Sequence, residues 1–313
     1  MDTTSPTLKP AAVAALIVEQ TVVKHRSPYE VIFFKAFLAG VMLSFGGLLS
    51  EVTSGGATSL TSSNPGLAKV LGGFVFPVGL VMIVLNGYEL LTSNMMYFPM
   101  AVIKKAVPWW SLPVNWLIGT KSSDVQTPSS LSDNIVVTFG NLVGSLFFGA
   151  ILVKYSGIVS TAPYNTYIVE FAMKKASEPE WHQIFLRGIG CNWLVCIAVW
   201  QAAGARDTIS KIFAIWIPIW IFVACSYDHV VANMFSVPLG IMFGADLTVA
   251  EYIRKSLIAA YLGNIIGALF VGMPATYFYL RDYNAGNMRL AENGELSSVE
   301  PSEVRETDSD RKH

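Results

Sequence analysis

The stretch GYELLTSNMMYFPM, Gly87 to Met100, returns in altered form as SYDHVVANMFSVPL, Ser226 to Leu239. Tyr88, Asn94, Met95 and Pro99 recur as Tyr227, Asn233, Met234 and Pro238, and an acid follows each tyrosine, Glu89 and Asp228. A second matching pair, GNLVGSLFFG from Gly140 and GNIIGALFVG from Gly263, follows in the same order, so the duplication covers most of the chain. Polar residues are costly in hydrocarbon, and a polar block at one place in two apolar halves points to a pathway built between them.

The surroundings of the repeat are apolar. Mean hydropathy is +0.49, 53% of residues are hydrophobic and only 14% are charged, where a soluble domain has about a quarter charged. The chain reads as an all-α integral membrane protein. A net charge of −1, with basic residues scattered through connecting segments, implies no nucleic-acid partner. Cys191, Cys196 and Cys225 fall in apolar stretches and read as small packing residues. No metal cluster, Gly-rich phosphate loop or nucleophile with a base is evident, so neither a membrane enzyme nor a bound cofactor is expected.

Crossing the bilayer core takes roughly 20 apolar residues, and six segments qualify: 31–50, 69–94, 134–153, 184–203, 211–235 and 253–280. Residues 1–30 read as a cytoplasmic N-terminal arm without a cleavable signal, 31–280 as one membrane domain, and 281–313 as a polar, disordered cytoplasmic tail. Lys and Arg number thirteen on the side of the two termini and seven on the other, with Lys35 inside the first span, which orients both termini to the cytoplasm. Trp109, Trp110, Trp116 and Trp181 lie near span ends, as indole rings at the lipid boundary do.

Three spans per half is an odd number, so the two copies run in opposite directions as an inverted repeat. The second and fifth spans pass Pro77 or Pro218 and then enter the polar block, which predicts two broken helices facing a lumen. Half-helix N-termini aimed into that lumen would favour an anion. The glycines spaced four and five apart, Gly140, Gly144, Gly149 and Gly263, Gly267, Gly272, are expected to bring helices close together.

Of the four histidines, only His229 sits at predicted membrane depth. In a soluble core it would read as a neutral imidazole bonded to a carbonyl; within a membrane an ionisable residue is a functional candidate, and histidine exchanges protons near neutral pH. Adjacent helical residues point about 100° apart, so Asp228 is expected to bond backbone or a neighbouring helix and not His229, with Glu89 doing the same in the first half. Thr92 lies near the counterpart of His229 and offers a hydroxyl to an anion. Asn94 and Asn233 are expected to tie down loop backbone, and Asn192 to line the path. Phe76, Leu80, Leu90, Val195 and Phe222 read either as constrictions or as ordinary core. Lys35 and Lys154 read as snorkelling side chains or as funnels for anions.

These residues together resemble the formate/nitrite transporter family: six spans in two inverted halves, TSN after GYELL, GN-x-x-G in spans three and six, and DHVVANMF in a broken fifth span. The resemblance covers 31–280. It implies an aquaporin-like protomer, usually in a homopentamer with a lipid-plugged centre, one pore per protomer, and passage of a small monovalent anion with transient protonation. Thr92 and His229 fall on the family's substrate-binding positions; Phe76, Leu80, Leu90, Val195 and Phe222 on its constrictions; and Asn192 on its pore-lining amide. Asp228 replaces the glutamate usual in bacterial members. That change and the charged tail resemble fungal members, which favours nitrite over formate and the plasma membrane of a eukaryotic cell. A neutral-solute or gas channel with a structural or gating histidine is the alternative of another class.

Overall fold

The computed structural model describes residues 7–109 and 133–281 and the short strands 288–290 and 296–298. Trp110, Trp116 and the rest of the tail lie outside the described residues, while Trp109 and Trp181 are exposed on the surface. Apart from those two strands the fold is helical. The chain runs through α1 (Pro10–His25), α2 (Tyr29–Gly56), α3 (Thr58–Ser63), α4 (Pro65–Val75), α5 (Val78–Asn86) and α6 (Leu91–Ile103). It continues with α7 (Asp133–Phe147), prolonged by π-helical turns over Phe148–Tyr155, then α8 (Tyr164–Ala176), α9 (Trp181–Gly204), α10 (Thr208–Ala224) and α11 (Val230–Met242). The last long helix, α12, covers Val249–Tyr279 and is π-helical over Tyr252–Leu257.

Among the described residues five helices are long and apolar enough to cross a membrane: Tyr29–Gly56, Pro65–Asn86, Asn134–Tyr155, Trp181–Gly204 and Val249–Tyr279. The apolar region expected as the fifth span is divided between the shorter helices α10 and α11. The protein is a multi-pass membrane protein.

Two expectations about the ends need correction. Residues 10–25, within the expected 1–30 arm, are not apart from the domain: α1 buries Val13, Ala14, Ala15, Ile17 and Val18 in the same core as the long helices. The run AAVAALIV is too apolar to remain in water, and at 16 residues the helix is shorter than a span. The tail, expected to lack structure, carries an antiparallel pair of strands, Met288–Leu290 with Leu296–Ser298.

Close helix contact builds the frame. A Cβ added to Gly144 on α7 would run into the Phe37 carbonyl of α2, and one on Gly267 of α12 into the Ile189 carbonyl of α9. The same small-residue pattern therefore brings backbone against backbone in both halves, where dispersion contacts stand in for a hydrophobic driving force that lipid does not supply. Between these packed pairs run the interrupted helices. Gly87 stops α5 in the left-handed conformation, φ +66°, and Ser226 takes φ +62° at the matching position after α10. Tyr88 N–H then returns to the Ile83 carbonyl at 3.0 Å, and Tyr227 N–H to the Phe222 carbonyl at 3.1 Å.

Backbone exposed by each break is held by one asparagine. Asn141, fully buried, accepts from Leu91 N–H at 2.9 Å and donates to the carbonyls of Ala36 at 2.8 Å and Glu89 at 2.9 Å. Asn264 makes the corresponding set, accepting from Val230 N–H at 2.9 Å and donating to Gly188 at 2.9 Å and Asp228 at 3.0 Å. An amide is the side chain that supplies one acceptor and two donors at once.

Replacing Asn264 by Leu orphans two buried backbone groups, the Val230 N–H and the Asp228 carbonyl, each worth about 1–3 kcal/mol, so the variant should lose about 2 kcal/mol or more. An unfolding titration in detergent that superimposes on the wild type would contradict this. Gly144→Leu places a branched side chain against the α2 backbone and should cost about 3 kcal/mol or more, seen as a lowered unfolding midpoint and poor recovery of folded protein.

Candidate functional site

The site forms where the two interrupted helices meet. Leu90 and His229 occupy the same place in the repeat, the extended residue just before a half-helix, with φ/ψ of −102°/124° and −102°/119°. Leu90 has no capping side chain. His229 caps α11, its Nδ1 accepting the Ala232 N–H at 3.0 Å. Its Nε2 lies 2.9 Å from Thr92 Oγ1 across the junction. Because Nδ1 accepts a backbone N–H, the neutral ring that satisfies both contacts carries its proton on Nε2 and donates it to Thr92. The threonine hydroxyl hydrogen is then available to a third group.

Acids flank this pair without touching it. Glu89 Oε2 meets Lys24 Nζ at 2.7 Å and Asn94 Nδ2 at 3.1 Å, while Lys24 also reaches Asn94 Oδ1 at 3.3 Å. In the second half Asp228 Oδ1 meets Lys175 Nζ at 3.0 Å and Asn233 Nδ2 at 3.4 Å. Lys175 also donates to the carbonyls of Ser226 at 3.1 Å and Tyr227 at 2.8 Å, placing a cation where α10 ends and its dipole is negative. Asn94 and Asn233 thus serve the acids and not loop backbone, a correction of the sequence reading; Asn141 and Asn264 hold the backbone instead. The first N–H of each half-helix is likewise taken by those asparagines and does not face a lumen.

Lys24 and Lys175, the cations paired with these acids, are residues that sequence reading missed. Each lies on a short helix ahead of the first long helix of its half, α1 and α8, and the signal was a lysine at the end of both, VVKH and AMKKA. The structural repeat therefore includes these two helices.

A cavity of about 300 Å³ opens from one side down to His229, bordered by Phe76, Phe222, Lys175, Asn233 and Glu51. The rings of Phe76 and Phe222 meet edge-on at 5.6 Å between centroids, and Phe222 stacks on the His229 ring at 5.8 Å and 23°. Two aromatic side chains therefore border the cavity where it reaches the imidazole. Leu80, Leu90 and Val195 are buried in the same apolar cluster but do not line this cavity.

Asn192 does not line it either. Fully buried, it donates to the Thr92 carbonyl at 3.1 Å and the Asn264 carbonyl at 2.8 Å, so its role here is to fix the backbone that carries Thr92. Lys35 and Lys154, read as snorkelling side chains or anion funnels, do not border this cavity. Lys35 is half-buried and its carbonyl accepts the Glu89 N–H at 3.4 Å, while Lys154 Nζ lies 3.8 Å over the Phe243 ring. The cations that border the cavity are Lys69, Lys174, Lys175 and Arg187, and a wider hollow of about 460 Å³ shares Lys69, Lys174 and Arg187 with it. Cys191 and Cys196 are buried as expected, whereas Cys225 is exposed and borders that hollow. Among the described residues no group of three or more His, Cys, Asp or Glu could hold a metal.

Comparison with known proteins identifies the family. The sequence profile described as formate/nitrite transporter matches residues 11–278, and its first matched residue lies in α1. A probable formate transporter of Methanothermobacter thermautotrophicus is 36% identical over 273 residues, 83% of this chain and 92% of that protein. The formate channel BtFdhC of Bacillus thuringiensis is 36% identical over 282 residues, 90% of this chain and 98% of its own. Among solved structures, a pentameric formate channel with formate bound superimposes with a TM-score of 0.65 at 28% identity, covering 81% of this chain and 98% of that one. The chain belongs to the formate/nitrite transporter family, whose members are transporters and channels and not enzymes.

Proposed function

We propose that the protein passes a small monovalent anion through each protomer, with the anion protonated transiently beside the Thr92–His229 pair. The observation that carries this reading is the 2.9 Å contact between Thr92 Oγ1 and His229 Nε2 at the meeting point of two interrupted helices, with a cavity reaching the imidazole past aromatic rings. His229 orients the hydroxyl, and the hydroxyl donates to one oxygen of the anion. Phe76 and Phe222 restrict the cavity side, and Leu80, Leu90 and Val195 form the opposite constriction. Asn192 acts through Thr92.

A bare anion between such side chains loses hydration worth tens of kcal/mol, while its conjugate acid loses only about what a neutral polar group does. Neutralisation is therefore what opens the apolar route. Imidazolium formation at His229 would turn Nδ1 from acceptor to donor against the Ala232 N–H and remove the cap. The proton accordingly comes from bulk hydronium, relayed through water in the cavity to an anion held at Thr92, and the basic mouth at Lys69, Lys174 and Arg187 raises the local anion concentration.

Formate is the leading substrate, because the relatives compared above are named for it. Nitrite presents the same planar pair of oxygens and a single charge, and is the second substrate. The spans form six crossings in two inverted halves, counting α4–α5 with α6 and α10 with α11 as the interrupted pair, with both termini cytoplasmic. A homopentamer with lipid at its centre, in the plasma membrane of a fungal-like cell, is the assembly this reading entails.

Uptake of labelled formate into vesicles carrying the purified protein, with nitrite as competitor, tests the proposal. Flux should rise as external pH falls, since the conjugate acid grows with proton concentration, and nitrite should compete. His229→Asn retains a side-chain oxygen for the α11 cap but loses the Thr92 contact; it should keep the fold and lower formate uptake about tenfold or more. Undiminished flux in that variant, or wild-type flux indifferent to pH and to anion charge, would instead select a neutral-solute channel.

A further inference from the structure

Glu51 has no part in the mechanism above, yet it borders the same cavity as His229. It lies near the end of α2, only 3% exposed, and neither carboxyl oxygen has a hydrogen-bond partner. The Ser236 hydroxyl of α11 is near enough to offset part of the cost of the charge, but it makes no hydrogen bond of normal geometry to either oxygen. The cations of the cavity are engaged elsewhere in two cases: Lys175 on Asp228 and two carbonyls, and Lys174 on Glu170 at 3.5 Å.

Other charged or titratable side chains reach this space from several elements. Lys69 comes from α4, Tyr167 from α8 and Arg187 from α9, and Tyr227 and His229 come from the break before α11. None of them bonds to the Glu51 carboxyl. A buried carboxylate with neither ion pair nor hydrogen bond is strongly disfavoured, whereas the carboxylic acid has only one proton to place. The two forms also act oppositely on cargo. A carboxylate repels an entering anion, while a carboxylic acid donates it a short, charge-assisted O–H···O bond.

We propose that Glu51 is a further anion-contacting residue: as the carboxylic acid it donates a hydrogen bond to an oxygen of the anion on its way to His229, and as the carboxylate it turns that anion away. This inference rests on the anion reading above and adds a specificity and pH element to it. Rising pH on the cavity side shifts Glu51 towards the repelling form, so flux falls more steeply than the supply of conjugate acid alone dictates.

Glu51→Gln keeps a neutral donor at every pH, and the ratio of its formate flux to that of the wild type should climb severalfold as pH rises. Glu51→Asp still titrates but is one methylene shorter, and should retain the steep profile with weaker uptake. Infrared difference spectra of the wild type should show a protonated carboxyl band that shifts on adding formate, with that band missing in Glu51→Gln. A wild type that carries formate while its pH profile superimposes on that of Glu51→Gln, or whose carboxyl band ignores formate, overturns this inference alone. A wild type that carries neither formate nor nitrite overturns the anion reading as well.

Discussion

Everything at the centre of this protein depends on one constraint: backbone that leaves a helix inside a membrane has no water to bond with. The protein answers it twice with the same device. Asn141 and Asn264 each bind an N–H at the start of a half-helix, the carbonyl of the acid before it, and a carbonyl of the neighbouring long helix. The two extended segments, Glu89–Leu90 and Asp228–His229, can exist at depth because of these clamps. Lys24 and Lys175 complete the answer by neutralising the acids.

On that duplicated scaffold the chemistry is singular. Leu90 and His229 stand at equivalent positions with nearly the same backbone angles, yet one is an apolar side chain and the other a ring with two polar nitrogens. One nitrogen serves the fold, as the cap of α11, and the other faces Thr92 from the opposite half. The repeat supplies the place, and the departure from the repeat supplies the one polar contact seen here between the two breaks. Thr92 and His229 are 137 positions apart in the chain, and only the meeting of the two breaks brings them into contact.

Much of this was legible from residues alone because it is local. The helix breaks follow from Gly87, Pro77 and the polar block, and the small-residue packing from the glycine spacing. What escaped depends on distant partners. Asn141 and Asn264 sit in the same GN-x-x-G motifs that were read for their glycines, and nothing nearby in sequence says that their amides reach the acid and the half-helix start. Asn192 looked like a polar residue on a path, and sequence did not show that its Nδ2 reaches carbonyls on other helices while its Oδ1 has no partner. The basic mouth was sought at span ends near Lys35 and Lys154, while the lysines that border the cavity lie on α4 and α8, whose position against the break no periodicity encodes. Helix α1 was read as part of a polar arm, although its run AAVAALIV is apolar enough to be buried.

The asparagine clamps also impose an order on biosynthesis. Lys24 precedes Glu89 and Lys175 precedes Asp228, so each acid leaves the ribosome after its cation has been made. The amides come late: Asn141 follows Leu91 by 50 residues, and Asn264 follows Val230 by 34. Until α7 or α12 has been synthesised, the corresponding half-helix has an unsatisfied start, and it can settle only in water, against the insertion machinery, or in a provisional contact that the asparagine later displaces.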